Sequence, residues 1–248
     1  MSLCISNEQH RTLEELRQIP ISPKGDRSDR WFGVQHGQLV DTIFNESDKL
    51  GLKVKDAQFG VSEDDADLFG DILFDNNRFI GNAPDGTGYE LGFRHSNLGR
   101  YSITMYAGLK VFICANGLIF SEYQVTRRKH TTGLEYFLAD EIKRGLLNFL
   151  TQLKMNDNFV NSLKTTAATD NRVNRLLTEI GRAEILPWSH IGFVDKNYHE
   201  ENINVPEFKD RNLFSVYNSF TEIIKRRNPA EQHRTIARLK PFFDKEIA

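Results

Sequence analysis

Between Tyr89 and Thr131 the chain concentrates basic and aromatic side chains that could serve one kind of chemistry. Proteins hold single-stranded nucleic acid with cations that follow the phosphate backbone and with aromatic rings that stack on the bases. The candidate residues are Arg94, Arg100, Tyr106, Lys110, Arg127, Arg128, Lys129 and His130. Tyr101 is a second stacking candidate, but alternation along a strand favours Tyr106. The alternative interpretation is a solvated strand end, with Tyr101 packed at the edge of the sheet.

Residue patterns that support catalysis are mostly missing from the sequence. Gly81–Gly88 (GNAPDGTG) lacks the lysine of a phosphate-binding loop. Neither His-Glu-x-x-His nor the motif of zinc deaminases occurs. Glu141-Ile142-Lys143 has the letters of a metal-nuclease motif, but on a helix Glu141 and Lys143 point roughly 200° apart. Glu122 lies on a strand without the aspartate that such a site needs. These observations favour a binding protein over an enzyme, and we expect no cofactor.

A metal site would need ligands from separate parts of the chain. His95, Cys114 and His130 lie on neighbouring predicted strands and could meet in three dimensions. A buried free cysteine usually behaves as a small apolar side chain. We therefore interpret Cys114 as a core thiol and the two histidines as surface or hydrogen-bonded residues, and we predict no bound metal.

Charge is divided unevenly along the 248 residues, although the net charge is only −2. Acidic residues outnumber basic ones by eight between 41 and 90, and basic residues outnumber acidic ones by four between 91 and 150. A surface that binds a polyanion must therefore be local. The acidic region Ser62–Asp85 indicates an alternative function, because a dense carboxylate cluster can imitate DNA or contact a basic protein.

Composition and cysteine usage predict a soluble, cytoplasmic protein. Cys4 and Cys114 are too few for a disulfide framework, which favours a reducing compartment. The first residues (MSLCISNEQHRTLEEL) have no apolar run typical of a signal peptide. No apolar run approaches the roughly 20 residues that span a bilayer, so we expect no membrane partner.

Periodicity predicts which elements position these residues. Four short strands are expected between Tyr89 and Thr131, with turns at 97–99 and 116–117 and a bend or bulge at Gly108. Strands are also predicted at 52–61 and 68–75. Helices are predicted at 7–18, 35–50, 134–153, 157–165, 170–184, 213–226 and 230–239, with 185–209 irregular and Pro241 ending the last helix.

The order of these elements predicts an α+β fold. N-terminal helices and an antiparallel, mostly meandering β-sheet (1–132) are followed by a helical region (133–248) packed on them as one compact unit. Within the sheet, Leu91, Phe93, Ile103 and Met105 share an apolar face that should contact the core. The polar residues of opposite parity should face solvent: Arg94, Ser102, Thr104, Tyr106, Lys110, Gln124, Thr126 and Arg128.

The run GFRHSN, followed by SITMYAGLKVFICANGLIF and RRKHT, resembles the signature of the phage/plasmid-like protein family, a domain of unknown function found in phages, prophages and plasmids. Leu213–Lys225 is similar to a second characteristic piece of that family. The matching positions are Arg94, Ser96, Asn97, Gly108, Val111, Cys114, Asn116, Arg128 and His130. The resemblance implies a mobile-element context and not a reaction.

The sequence leads to two hypotheses. The first is a DNA-binding protein, with single-stranded DNA as its nucleic acid partner, that acts in recombination or replication as a homo-oligomer and resembles phage strand-annealing proteins. The second is an interaction protein without catalytic activity that engages a host protein partner through the acidic region.

Overall fold

The computed structural model describes residues 9–21, 30–76, 80–83, 87–111, 124–131, 133–201, 210–227 and 229–248. Helices near the N-terminus precede an antiparallel sheet, and a helical half follows it, so the α+β prediction is confirmed. The strands are β1 Gln9–Arg11, β2 Val54–Val61, β3 Asp67–Phe74, β4 Thr87–Ser96, β5 Ile103–Val111 and β6 Gln124–Arg128. The helices are α1 Leu13–Gln18, α2 His36–Lys49, α3 Leu134–Thr165, α4 Asp170–Arg182, α5 Trp188–Lys196, α6 Leu213–Ile224 and α7 Pro229–Ile247, and a π-helical turn, Asn197–Glu201, follows α5.

The six strands form a meander in which each strand pairs antiparallel with the strand before it. The register places Arg94 opposite Phe69 on one side and opposite Thr104 on the other, and Thr104 opposite Arg127. Directly opposed residues share a face of the sheet. This row therefore brings Arg94 and Arg127 to the same face, two strands apart.

The other face of the sheet contacts the helices through a shared apolar core. Phe93 and Met105 are buried on this face, as the alternation predicted. Phe93 lies across Gly70 of β3, where an added Cβ would be 2.3 Å from the ring. Gly145 lets α3 approach β5, because a Cβ there would lie 2.9 Å from the Met105 sulfur. Residues of the sheet and of every helix from α1 to α7 belong to one hydrophobic cluster.

The N-terminal helix is shorter than predicted. Residues 9–11 form β1, and α1 begins at Leu13 rather than at Asn7, which lies outside the described residues. The reason is a capping box: the Thr12 hydroxyl accepts a hydrogen bond from the Glu15 amide, and the Thr12 amide donates to the Glu15 carboxylate at 2.7 Å. Helix α2 agrees with the prediction and is followed by Gly51 at φ +72°.

Three predictions about the helical half are wrong. Helix α3 continues to Thr165 and includes the segment that we expected to be a separate helix. The segment 185–209 was expected to be irregular, but α5 begins at Trp188, buries Ile191 and Val194, and is followed by the π-helical turn; residues 202–209 lie outside the described residues. Pro241 lies inside α7, because Phe243 beyond it is fully buried and keeps the helix on the core.

Between Tyr89 and Thr131, β5 runs through Gly108 without the predicted bend or bulge, so it joins two of the four expected strands. Cys114, the Asn116-Gly117 turn and Glu122 lie outside the described residues. Among the helices of the described ranges, none has the length and apolarity needed to cross a bilayer.

Candidate nucleic-acid interface

A cleft of about 460 Å³ opens at the end of the sheet where the β4–β5 turn meets the end of β6. We call it the Trp31 cleft. It contains five of the eight residues predicted from the sequence, together with two aromatic rings. Its principal lining residues are Trp31, Arg94, Arg100, Tyr101, Arg127, Lys129 and His130. The volume lies in the range of small-molecule pockets.

The β4–β5 turn is built by two of the motif positions. The Ser96 hydroxyl accepts hydrogen bonds from the amides of Leu98 (3.1 Å) and Arg100 (3.2 Å). The Asn97 side chain accepts from the Val34 amide at 3.1 Å and donates to the Val34 carbonyl at 2.9 Å. Ser96 therefore holds the backbone just before Tyr101, and Asn97 holds the backbone at Val34, three residues after Trp31.

Trp31 reaches the cleft because the residues around it pair with the segment after β6. Trp31 forms an antiparallel bridge with Thr131, and the Phe32 amide donates to the His130 carbonyl. The indole lies over Gly33, where an added Cβ would be 2.7 Å from the ring. Our sequence reasoning missed Trp31; the available signal was a tryptophan beside Arg30 in an otherwise polar loop.

Arg94 and Tyr101 form a stacked pair within the cleft. The Arg94 guanidinium lies 4.8 Å from the centre of the Tyr101 ring and 5.7 Å from that of Tyr106. Phe69 contacts Tyr101 from the neighbouring strand, with ring centres 5.8 Å apart. Stacking on aromatic faces fixes the orientation of a guanidinium.

Arg127, Lys129 and Arg100 are the exposed cations of the cleft, and the first two differ from Arg100 in their partners. Neither Arg127 nor Lys129 forms an ion pair with a residue in the described part of the chain, and Arg127 lies 3.5 Å from the Ser102 hydroxyl. Arg128 points to the opposite face because successive strand side chains alternate. Its guanidinium lies 3.8 Å from the Glu141 carboxylate on α3. Arg128 therefore does not line the Trp31 cleft, contrary to our expectation.

Arg100 lines the cleft but is neutralised by the acidic turn between β2 and β3. It donates to Asp67 at 2.9 Å and also pairs with Asp64. The hydrogen bonds from Arg100 and Ser62 hold the pKa of Asp64 well below its usual range. A guanidinium shared between two carboxylates contributes little net charge to the cleft.

The rest of the predicted solvent face is not open. Tyr106 is only 6% exposed, so its ring cannot stack on a base as we expected. Asp71 and Glu90, on the same face, are also buried. The Lys110 side chain lies outside the described residues. Alternation shows which side chains share a face, but it does not show whether that face is covered.

Three histidines form a chain of contacts beneath the cleft. His36 Nε2 lies 2.8 Å from the Asp65 carbonyl oxygen and therefore donates to it, which leaves His36 Nδ1 to accept from His95 Nε2 at 2.7 Å. His130 donates through Nδ1 to the Phe32 carbonyl (3.0 Å) and stacks on His95. Burial lowers the pKa of His36 and lowers that of His95 well below its ordinary value, with His36 and His130 adding to the effect at His95.

These histidines do not form a metal site. No group of three or more histidine, cysteine, aspartate or glutamate side chains within the described ranges has the arrangement of metal ligands. The Glu141-Ile142-Lys143 letters lie within α3, as predicted, so the two side chains diverge. Cys4 and Cys114 are outside the described residues.

The acidic turn does not form the open carboxylate surface that the alternative hypothesis requires. Asp64 and Asp67 pair with Arg100, and Asp65 lies 3.6 Å from Arg11. Of this turn, Glu63 is exposed without an ion pair to any described residue. Asp85 lies outside the described ranges.

Comparison of the chain with protein-family models, with curated proteins and with solved structures gives no match. The resemblance to the phage/plasmid-like family therefore stays a prediction from its motifs.

Proposed function

We propose that this protein binds single-stranded DNA and that the Trp31 cleft is the site. The observation that carries the proposal is the combination within one cleft of two exposed cations, Arg127 and Lys129, with the Arg94–Tyr101 stack and the Trp31 indole. Cations beside accessible aromatic rings are the two components of sequence-tolerant binding to single strands.

The mechanism follows from what each side chain can contact. Arg127 and Lys129 bind phosphates of the backbone, and Arg94 adds its positive charge beside the Tyr101 ring. A base stacks on Trp31 or Tyr101. The cleft favours a single strand because the bases of a duplex are already stacked on one another and present only their edges.

One such cleft holds about one nucleotide, which is too small a contact for tight binding by itself. Several clefts aligned in a homo-oligomer would raise the effective affinity without any new contact. Such an oligomer, together with the motif resemblance, favours a role in recombination or replication of mobile elements, similar to the role of phage strand-annealing proteins. Engagement of a host factor through the acidic turn is less well supported, because Arg100 neutralises Asp64 and Asp67.

The test is removal of the positive charges of Arg127 and Lys129. The double variant Arg127→Gln, Lys129→Gln is titrated into labelled single- and double-stranded oligonucleotides, and binding is followed by fluorescence anisotropy at two salt concentrations. We expect single strands to bind more tightly than duplexes. Each lost phosphate contact should reduce the slope of log affinity against log salt by about 0.7.

The matched control is Lys143→Gln, Lys245→Gln, which removes the same charge from exposed positions on α3 and α7. It should bind like the wild type apart from a small general effect of net charge. Equal affinity and equal salt dependence in the two double variants would exclude the Trp31 cleft as the site. If no oligonucleotide binds the wild type, the proposed function itself is wrong.

A further inference from the structure

A second cleft, of about 410 Å³, lies in the helical half between the α4–α5 connection and α7. We call it the Trp188 cleft. Trp188 of α5 lines it on one side, and Arg234 and Arg238 of α7 line it on the other. The chain has two tryptophans, and each lines one of the two clefts beside arginines.

The Trp188 ring is fixed on one side and open on the other. It lies against Gly181 of α4, where an added Cβ would be 2.8 Å from the ring, so any larger residue would displace the indole. The side chain is nevertheless 57% exposed. A large aromatic ring with one supported and one accessible face is suited to stacking on a planar ligand.

The two arginines have different roles. Arg238 donates to the carbonyl oxygens of Ala183 (2.8 Å) and Glu184 (3.3 Å), which caps α4 and fixes the wall of the cleft. Arg234 lies one helical turn earlier on the same side of α7. It is exposed and forms no ion pair with any residue that the structure describes, so it can bind an anion. The remaining charged pair of the cleft, Arg227 and Glu231, is mutually neutralised at 2.7 Å.

Glu184 occupies a backbone conformation that favours glycine. Its φ is +53°, at the turn where its amide donates to the Gly181 carbonyl and the Ile185 amide donates to the Ile180 carbonyl. Glycine would be more stable there. Strained residues often lie at functional sites, where the side chain is needed. Glu184 places an exposed carboxylate at the rim of the Trp188 cleft, where it can accept hydrogen bonds.

We infer that the Trp188 cleft binds a nucleotide. The base stacks on Trp188, the phosphate binds Arg234, and the Glu184 carboxylate accepts a hydrogen bond from an exocyclic amino group of the base. Carboxylates recognise the amino group of cytosine in this way. The site therefore favours a base with an amino group over thymine. The inference does not depend on the Trp31 cleft, and the nucleotide can be free or part of a single strand.

The experiment uses Trp31→Phe, which leaves Trp188 as the single tryptophan of the full chain. Its fluorescence is titrated with dCMP and dTMP, and separately with oligo(dC) and oligo(dT). Quenching by dCMP at millimolar concentration identifies a free-nucleotide site, and quenching by oligo(dC) alone identifies a contact with a strand. In either case the thymine ligand should bind several-fold more weakly. If none of the four ligands changes Trp188 fluorescence, the inference is overturned.

Two substitutions in that background assign the roles. Arg234→Gln should weaken binding of both bases about tenfold, as expected for loss of a charge-assisted contact. Glu184→Gly should abolish the preference for cytosine while raising the melting temperature, because glycine relieves the backbone. A purely structural Glu184 would leave the base preference unchanged. If these outcomes fail while the wild-type chain binds oligonucleotides and Arg127→Gln, Lys129→Gln weakens that binding, the second site alone is rejected.

Discussion

Arg100 and Lys129 line the same cleft, but their neighbours give them different roles. Arg100 is held by Asp64 and Asp67, whereas Lys129 is exposed without an ion pair to a described residue. A cation that already contacts two carboxylates must lose those contacts before it can bind a phosphate. The charge available to a ligand is therefore smaller than the number of basic residues suggests.

Because two carboxylates hold Arg100, removing one of them should increase the affinity of the protein for nucleic acid. Asp64→Asn removes one of the two carboxylates that hold Arg100 and should strengthen binding of a single-stranded oligonucleotide about two- to fivefold, the usual scale of one exposed charge interaction. The slope of log affinity against log salt should also become steeper, since Arg100 gains a phosphate contact. Fluorescence anisotropy at two salt concentrations measures both effects.

Glu63→Gln is the control for that variant, because it removes the same charge from the adjacent exposed residue without releasing Arg100. It should change affinity less than Asp64→Asn does. If the two variants behave alike, the effect is a general one of net charge, and Arg100 is not restrained by Asp64 in the way we describe.

At the residue scale, the sequence predicted the composition of the site better than its geometry. Alternation placed Arg128 on the face of Arg94, but the register shift between Met105 and Tyr106 brings Arg127 to that face and turns Arg128 to Glu141. It does not reveal that Tyr106 is buried or that Asp64 pairs with Arg100, because both depend on segments distant in sequence. Trp31 was missed for the same reason, since its position depends on pairing with Thr131, a hundred residues later.

At the scale of elements, the histidine chain joins three parts of the fold. His36 begins α2, His95 lies near the end of β4, and His130 follows β6. The groups that face His95 are His36 and His130, and His36 in turn faces the Asp65 carbonyl and the charge of Asp67. In this pattern His36 must remain neutral, because its Nε2 donates to the Asp65 carbonyl while its Nδ1 accepts from His95. The histidine chain also supports the wall of the Trp31 cleft, because His130 is one of the residues that line this cleft.

The buried histidine chain predicts that the folded protein becomes less stable in acid. The pKa of His95 is lowered on folding from the ordinary value of 6.5, mainly by burial. Below that value the unfolded chain binds a proton that the folded chain does not, so stability is present above pH 6.5 and falls as the pH decreases. Each such histidine contributes a limiting slope of about 1.4 kcal/mol per pH unit. The free energy of unfolding, measured by urea denaturation between about pH 8 and pH 5, tests this.

His95→Asn separates this effect from general acid sensitivity. The variant should be less stable than the wild type at about pH 8, because a buried contact is lost, but the difference should shrink toward pH 5. His10→Asn, at an exposed position on β1, should follow the wild-type profile. A constant difference between His95→Asn and the wild type at every pH would contradict the assignment.

The elements themselves were predictable where periodicity and caps agree, as in α2, β2 and β3. Two of the failures have the same physical cause: packing and pairing with distant elements outweigh local signals. Pro241 does not end α7 because Phe243 is part of the core, and Gly108 does not bend β5 because its neighbours pair with β4. The start of α1 was a different case, since the Thr12–Glu15 capping box was readable in the sequence and was overlooked.

At the scale of the whole molecule, α3 links the sheet to the helical half. Its 32 residues contact β5, β6 and α2, and they also contact α6 and α7. The predicted division at residue 132 therefore separates two regions that share apolar contacts. A shared core favours unfolding as one cooperative unit.

The two tryptophans allow a direct measurement of that cooperativity. Trp31 lies beside the sheet and Trp188 lies in α5, so Trp31→Phe and Trp188→Phe each leave a single reporter on one region. We expect both reporters to give the same urea midpoint and slope as circular dichroism, after correction for the small effect of each substitution. Two separated transitions would show that the regions unfold independently.

The order of the strands has a consequence for how the chain reaches its native state. Because each of the described strands pairs with the strand that precedes it, four of the five pairings join segments close in sequence and need little loop-closure entropy. During synthesis, strands β2 to β6 can therefore pair before α3 leaves the ribosome. Until α3 packs on the sheet, the apolar face that this helix covers stays exposed on the growing chain.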